Sequence, residues 1–224
     1  SDAKNKLLGP QDWFAQSERD YRSQLIYDVY NAYEEKLKSS NSLDFDDLIV
    51  KTLELFAQHP PVLEAYQRKI RYIHVDEYQD TNYAQYMLVR LLAAQSRNLC
   101  VVGDDDQSIY GWRGAKIENI LHFEKAFPGA KTFKLERNYR STKSILKLAN
   151  TVIHFNGNRK DKTLWTENAE GEKPQVFEAE EESGEARYIA HTIAGLLNRG
   201  YKLSDFAILM RLNALTRSFE QEFT

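Results

Sequence analysis

Two adjacent acids, Asp76 and Glu77, directly follow the short apolar run RYIHV at residues 71 to 75. The run has the composition of a buried strand, so both carboxylates are expected where a strand ends and meets solvent. Enzymes that hydrolyse nucleotides use this arrangement to hold Mg²⁺ through the aspartate and to orient the attacking water with the glutamate. The pattern alone is weak, because two solvated acids that open a turn would look the same.

A second candidate is the segment VVGDDDQSIYGWRGA at residues 101 to 115. Three consecutive aspartates are followed within eight residues by Tyr110, Trp112 and Arg113. Aromatic rings stack on bases and arginine suits nucleic acid, whereas carboxylates repel phosphate. One short segment therefore combines groups that favour a nucleic-acid ligand with groups that oppose it.

The elements that position these residues are strands alternating with helices. Amphipathic helices are predicted at 18 to 38 and after Ser42, a candidate N-cap, and further helices at about 82 to 95, 116 to 127, 142 to 155 and 184 to 198. Short apolar runs predict strands at 71 to 75, 98 to 102, 130 to 135, 174 to 179 and 205 to 210. This order predicts an α/β fold with a largely parallel sheet flanked by helices, whose sites form beyond the carboxyl ends of the strands.

Composition limits the classes of protein that are possible. A chain of 224 residues with 42% hydrophobic content can bury a core in one or two domains. Its formal net charge of −3 means that any contact with nucleic acid comes from a local patch. The single cysteine, Cys100, lies in the apolar run LCVV, which predicts a buried residue and fits a reducing compartment. No apolar run is as long as a membrane span, and the expected location is the cytoplasm.

Five stretches together resemble the UvrD/Rep/PcrA family of superfamily 1 DNA helicases. They are LDFDDLI, VDEYQDTN, VVGDDDQSIYGWRGA, LERNYRSTKSIL and AILMRLNALTRSFEQEF, and the similarity covers nearly the whole chain. The resemblance implies RecA-like domains with parallel sheets flanked by helices, with ATP bound between two such domains. It also implies that single-stranded DNA runs across both domains.

The resemblance assigns roles in nucleotide chemistry. It implies that Asp76 is the Mg²⁺ ligand and Glu77 the catalytic base, and that Gln107 touches the γ-phosphate. It also implies that Tyr139 stacks on adenine and that Arg140 reaches the γ-phosphate as an arginine finger. The implied cofactors are therefore ATP and Mg²⁺.

The acids around these groups receive supporting roles. Gln79 and Asp80 resemble partners that couple the loop after the first strand to the loop after the second. Asp104 is expected near the metal. Asp105 and Asp106 are expected to shape their loop through side-chain hydrogen bonds to the backbone.

Four residues are assigned to DNA. By the same resemblance Tyr110 and Trp112 stack on bases, Arg113 supports that platform, and Phe45 is a further stacking position. For Phe45 the alternative is ordinary core packing within an amphipathic helix. The expected partners are single-stranded DNA and duplex junctions, with no membrane, and proteins that load a helicase in repair or replication.

The chain also departs from the family. It contains no GxxxxGK[ST] loop to cradle phosphates, so the chain alone is not expected to hydrolyse ATP. We interpret it as a piece of a longer 3′-to-5′ helicase. Residues 1–55 would end an inserted helical subdomain, 56–137 would form the later half of the first motor domain, and 138–224 would start the second.

Three other interpretations remain. The nearest is the motor of a helicase–nuclease subunit. The second is a non-catalytic module that binds single-stranded DNA, which the missing phosphate loop favours. The third is an interaction domain with decayed motifs, which the intact Asp76-Glu77, Gln107 and Tyr139-Arg140 argue against.

Overall fold

A computed structural model describes residues 1–223, which form two compact units. The first unit comprises Ser1–Asn138 and Ala149–Trp165, and the second comprises Tyr139–Leu148 and the chain from Thr166 onward. The fold is helix-rich α/β with a small parallel sheet, which confirms the predicted class. Among the described residues, no helix has both the length and the apolar content needed to cross a bilayer.

The first unit is mainly helical. Its helices are α1 (Asp2–Asn5), α2 (Pro10–Gln16), α3 (Tyr21–Ser39), α4 (Asp47–Gln58), α5 (Pro60–Lys69), α6 (Tyr83–Ala93), α7 (Glu118–Leu121) and α8 (Phe123–Ala126). A ninth helix, α9 (Lys143–Ile153), begins in the second unit and ends in the first. The predicted helices are confirmed, although the stretch from 116 to 127 is divided into α7 and α8.

Local signals explain where several of these helices begin. The Asp20 side chain accepts a hydrogen bond from Ser23 N at 2.7 Å and caps α3. Asn82 caps α6 in a reciprocal capping box with Gln85. The predicted cap of α4 was wrong, because Ser42 Oγ donates to Ser40 O while the Asp44 side chain accepts from the first turn of α4.

The sheet consists of two parallel strands, β1 (Ile73–Val75) and β2 (Leu99–Val101). His74 pairs with Cys100 in register, and both side chains are exposed. The prediction that Cys100 is buried was therefore wrong. A parallel sheet is normally covered on both faces, and within residues 1–223 the face that carries His74 and Cys100 is open to solvent.

The other three predicted strands are not formed. The chain is irregular at residues 130 to 135, 174 to 179 and 205 to 210, except that Asp205 ends a 3₁₀ turn (Leu203–Asp205). Just after the first of these runs, Arg137 forms an isolated β-bridge with Trp165. A strand needs a hydrogen-bonded neighbour, and the apolar side chains of these runs, such as Phe133 and Val176, are exposed. Their composition is that of strands, but no ladder orders them among the described residues.

Each unit has its own small core. In the first, Leu53 and Phe56 of α4 are buried together with Ala84 and Ala93 of α6. In the second, Ala186 of α10 (Glu182–Leu197) and Phe219 of α11 (Thr216–Glu222) are buried where these two helices pack. The candidate site lies at the carboxyl ends of β1 and β2, in the first unit.

Candidate functional site

Asp76 and Glu77 emerge where β1 ends, and both are exposed. Asp76 Oδ1 accepts a hydrogen bond from Glu77 N at 2.9 Å, which ties the two residues together. Glu77 has φ 49° and ψ 43°, the left-handed region that residues other than glycine rarely adopt. Leu7, Asn41 and Arg97 have similar φ values, and Glu77 is the one of these four residues that lies at the end of a strand beside a second acid.

Gln79 connects the loop after β1 with the loop after β2. Its side chain is nearly inaccessible, with 1% of the residue exposed. Its Nε2 donates to Glu77 Oε2 at 2.8 Å, and its Oε1 accepts from Asp104 N at 3.0 Å. The predicted coupling of the two loops through Gln79 is thus present as a direct hydrogen-bonded bridge.

Asp80 lies beside this bridge, and Gln79 Nε2 also approaches its Oδ2 at 3.4 Å. Burial raises the pKa of the Asp80 carboxyl, and the nearby charge of Glu77 raises it further. The Asp80 carboxyl also faces the second loop, because a hydrogen bond from the Tyr110 backbone acts to lower its pKa. Gln79 and Asp80 therefore both connect the two loops.

The two loops approach so closely that Gly103 has no room for a side chain. The β-ladder continues past β1 and β2, since Val102 N donates to Val75 O at 2.8 Å and Tyr78 N donates to Val102 O at 3.0 Å. A Cβ on Gly103 would lie 2.5 Å from Gln79 Oε1. Gly103 is therefore required by the contact between the two loops.

Gln107 lies on a 3₁₀ turn (Asp105–Gln107) that begins at Asp104. Its side chain is exposed, and its Nε2 donates to Asp104 Oδ2 at 2.6 Å. Asp104 Oδ1 accepts from Asp106 N at 3.1 Å. Asp104 therefore contacts Gln107 by its side chain and Gln79 by its backbone, and it lies between the strand-end acids and Gln107.

The aspartate triplet is held by basic residues that sequence reasoning missed. Lys162 Nζ lies 2.8 Å from Asp104 Oδ1, 2.6 Å from Asp105 Oδ1 and 3.0 Å from Asp106 Oδ2. Arg159 forms a two-point contact with Asp106, with Nε at 2.8 Å and Nη2 at 2.7 Å. Asp105 also accepts from Lys160 N at 2.8 Å. The prediction that backbone hydrogen bonds alone explain these aspartates was therefore incomplete.

These contacts set the protonation of the cluster. Burial alone would raise the pKa of Asp104, but hydrogen bonds from Lys162 and Gln107 hold it below its ordinary value. Arg159 has the largest effect on Asp106 and likewise lowers its pKa. Burial alone would lower the pKa of Lys162, but the three carboxylates raise it above its ordinary range. Asp104, Asp106 and Lys162 are thus charged at neutral pH.

Beyond this cluster the same segment carries the aromatic residues. The Tyr110 and Trp112 rings have centroids 6.1 Å apart at an interplanar angle of 45°. The Arg113 guanidinium lies 5.3 Å from the Tyr110 ring and 4.7 Å from the Trp112 ring. Trp112 is 71% exposed, so its ring is accessible to a ligand. The Arg113 guanidinium therefore lies against both rings, and its role in a base-stacking platform stays a prediction.

Phe45 lies in the loop before α4 and is 91% exposed. Core packing, the alternative reading of this residue, is not what the structure shows. An exposed phenylalanine ring offers an apolar face to a ligand base.

Tyr139 and Arg140 belong to the second unit, whereas Asp76 and Glu77 belong to the first. Both are exposed. Asn168 Nδ2 donates to Tyr139 O at 3.3 Å and to Ser141 O at 3.0 Å, and so braces the backbone on both sides of Arg140. Sequence reasoning did not identify Asn168, which is 27 residues from Ser141.

The donor types at the end of β1 fit a hard divalent cation. One Asp76 oxygen is engaged by Glu77 N, and the exposed carboxylate keeps further acceptor capacity. Mg²⁺ is commonly held by one or two carboxylates together with waters and phosphate oxygens. Asp76 is the residue here that would hold it.

Comparison with known proteins gives a consistent result along the chain. Residues 1–128 match the UvrD/REP helicase N-terminal domain, and residues 133–224 match the UvrD-like helicase C-terminal domain. The whole chain is 55% identical over 224 residues to the ATP-dependent DNA helicase PcrA of Staphylococcus aureus. It is 54% identical over the same length to the protein of that name from Staphylococcus epidermidis. The chain spans 30% of the length of each of these relatives.

Proposed function

The chain belongs to the UvrD/REP helicase family, and from this premise we propose that it is part of an ATP-dependent 3′-to-5′ DNA helicase. The full protein would couple ATP hydrolysis to movement along single-stranded DNA and would unwind duplexes in repair or replication. The names of the relatives support the use of ATP and DNA.

The nucleotide chemistry is proposed for the ends of β1 and β2. Asp76 would hold Mg²⁺, and when bound this ion neutralises charge on phosphate oxygens. Glu77 would accept a proton from the attacking water at a carboxylate oxygen, while Gln79 orients that carboxylate through its 2.8 Å hydrogen bond. Gln107 is placed on the same edge, where its amide would contact the terminal phosphate.

The second family domain would supply two further groups. Tyr139 would stack on the adenine ring, and Arg140 would stabilise negative charge that develops on the transferred phosphoryl group. The Asn168 contacts fix the backbone that carries both side chains. Because an arginine retains its charge at all relevant pH values, Arg140 contributes electrostatically without exchanging a proton.

The DNA contacts are proposed for Tyr110, Trp112, Arg113 and Phe45. Base stacking on aromatic side chains is worth about 1–3 kcal/mol per base and is tolerant of sequence. Such tolerance suits an enzyme that moves along DNA of any sequence. Single-stranded DNA and duplex junctions are the proposed ligands, and proteins that load the helicase are the proposed partners, in the cytoplasm.

One observation supports this proposal: a series of hydrogen bonds joins Glu77 to Gln107, which lies in the same segment as the aromatic platform. Glu77 contacts Gln79, Gln79 contacts Asp104, and Asp104 contacts Gln107. The platform begins three residues after Gln107. A change at the nucleotide side therefore has a short physical route to the DNA side.

We also propose the organisation of the chain. Residues 1–55 would complete an inserted helical subdomain, 56–137 would belong to the first motor domain, and 138–224 would begin the second. The phosphate-binding loop of the motor would lie elsewhere in the full protein, so this chain alone would not turn over ATP.

The test is the Glu77→Gln variant of the full-length helicase. We expect DNA-stimulated ATP turnover to fall by roughly 100-fold or more, because the general base is lost, while affinity for a single-stranded oligonucleotide is retained. Glu35→Gln, an isosteric change at an exposed position on α3, is the matched control and should turn over ATP normally. Normal turnover in Glu77→Gln would remove Glu77 from the mechanism.

A further inference from the structure

Lys4 is a buried lysine surrounded by carboxylates. Only 4% of the residue is exposed, and its Nζ lies 2.7 Å from Glu34 Oε1, 2.8 Å from Asp44 Oδ2 and 2.8 Å from Asp47 Oδ1. Burial alone would lower the pKa of Lys4, but hydrogen bonds to Asp44, Asp47 and Glu34 raise it above its ordinary value. The carboxylate oxygens of these three acids lie close enough together to bind one cation, and among residues 1–223 no other group of acids, histidines or cysteines does so. The Lys4 ammonium occupies the position between them.

This cluster shapes the loop that carries Phe45. Asp47 N donates to Asp44 Oδ1 at 2.8 Å, and Asp44 N donates to Asp47 Oδ2 at 3.3 Å, so the two acids close a tight loop around Phe45. Tyr33 OH donates to Asp44 Oδ2 at 3.1 Å. With both acids directed inward to Lys4, the ring between them is left pointing to solvent.

The next residue, Asn5, makes the equivalent contact with the other aromatic loop. Its Nδ2 approaches the carbonyl oxygen of Arg113 at 3.3 Å, and its Oδ1 accepts from Asn82 Nδ2 at 2.8 Å. Gly114 packs against Asn5, since a Cβ on this glycine would lie 3.5 Å from the asparagine side chain. Asn5 is thus held between the Trp112 loop and the start of α6.

We propose that Lys4 and Asn5 are positioning residues that fix the separation of the Phe45 loop and the Trp112 loop, so that one DNA strand can stack on both. This inference rests on the proposed function. Consecutive Cα atoms are about 3.8 Å apart, so two anchors on adjacent residues cannot move independently. Fixing both rings before DNA arrives lowers the ordering cost of binding.

The experiment is a pair of double-mutant cycles in the full-length helicase. A fluorescein-labelled oligo(dT) is the probe, and its affinity is measured by fluorescence anisotropy. One cycle combines Asn5→Ala with Trp112→Ala, and the other combines Lys4→Met with Phe45→Ala. The control is Lys6→Met, which removes a lysine of the same segment whose 2.8 Å ion pair with Asp2 is exposed.

We expect Trp112→Ala to weaken binding about 5- to 150-fold, the equivalent of one lost base stack. Asn5→Ala should weaken it about 2- to 12-fold, corresponding to one hydrogen bond. In the Trp112→Ala background, Asn5→Ala should have no further effect, because the ring that it positions is gone. Lys6→Met should bind like the wild type.

Other outcomes would overturn the inference in distinguishable ways. If Trp112→Ala and Phe45→Ala weaken binding but the Asn5 and Lys4 effects add to them in full, the two residues are structural and the DNA-binding proposal stands. If neither aromatic variant loses affinity, the proposed DNA contacts and the positioning role are both wrong. Lys4→Met leaves three carboxylates without their counter-charge, so its fold is checked by circular dichroism. Asn5→Ala keeps that cluster intact and decides the question if Lys4→Met is unfolded.

Discussion

Replacing Gly103 with alanine tests whether the two loops of the candidate site depend on their close approach. The added Cβ would lie 2.5 Å from Gln79 Oε1, 2.8 Å from Ile120 Cδ1 and 3.1 Å from Tyr78 N. Gln79 cannot move aside freely, because its amide is buried and hydrogen-bonded to Glu77. The variant must therefore shift one loop or break the hydrogen bond between Asp104 N and Gln79 Oε1.

The expected cost follows from these two effects. Adding a methyl group to a packed site costs about 1–3 kcal/mol, and one lost hydrogen bond costs about 1 kcal/mol more. We expect Gly103→Ala to lower the free energy of unfolding by about 3 kcal/mol. With a urea slope of about 3 kcal/mol/M for a protein of this size, the midpoint would fall by about 1 M.

The assay is urea unfolding followed by circular dichroism, with Gly111→Ala as the matched control. No atom lies within 4 Å of a Cβ built on Gly111, and its φ is outside the left-handed range, so this variant should unfold like the wild type. ATP turnover by the full-length Gly103→Ala protein should also fall, since the Gln79 side chain that orients Glu77 loses its contact with Asp104 N. Equal midpoints for the two alanine variants would refute the argument that the loops are in obligatory contact.

Two further variants test the supports around the site. Lys162→Met should destabilise the protein by about 2 kcal/mol at neutral pH, less than a fully buried pair because the lysine side chain is 15% exposed. Since the pKa values of Asp104 and Asp106 are lowered by folding, their stabilising contribution is complete above about 3.8 and is lost as the pH falls below it. The difference in the free energy of unfolding between Lys162→Met and the wild type, measured with urea, should therefore be smaller at pH 3 than at neutral pH. An equal difference at both pH values would contradict the ion-pair account. Asn168→Ala should raise the KM for ATP several-fold, because the backbone beside Tyr139 loses two hydrogen bonds, and an unchanged KM would argue against that role.

The parts of the fold that were predictable are those fixed by local interactions. Helix α3 follows from apolar residues at spacing four, and α6 follows from the cap and glutamine that open it. Strands depend on a neighbour elsewhere in the chain, so composition indicates them without guaranteeing them. Of five apolar runs that read as strands, the two that pair with each other are ordered as β1 and β2.

The candidate site also has a part that local sequence motifs indicate and a part that depends on residues far apart in the chain. The sequence motifs and the family resemblance predicted roles for Asp76, Glu77 and Gln107, and the side-chain hydrogen bonds of Glu77 and Gln107 go to residues two and three positions away. Lys162 lies 57 residues from Asp105, and nothing in the spacing of charges along the chain points to that pairing. The burial of Lys4 was equally unpredictable, because a lysine is expected at the surface unless several acids converge on it from separate elements.

The arrangement of residues 101 to 115 explains how one short segment can carry both acids and aromatic rings. The aspartates are directed at Lys162 and Arg159 within the protein, and these two cations offset most of their negative charge. These ion pairs reduce the repulsion that three free carboxylates would exert on phosphate a few residues from the Trp112 ring. They also anchor the first half of the segment, so that Gln107 and the platform extend from a fixed base. On this view the ion pairs hold the segment that carries the proposed DNA contacts, and replacing Lys162 should weaken binding of single-stranded DNA by restoring negative charge as well as by loosening the loop.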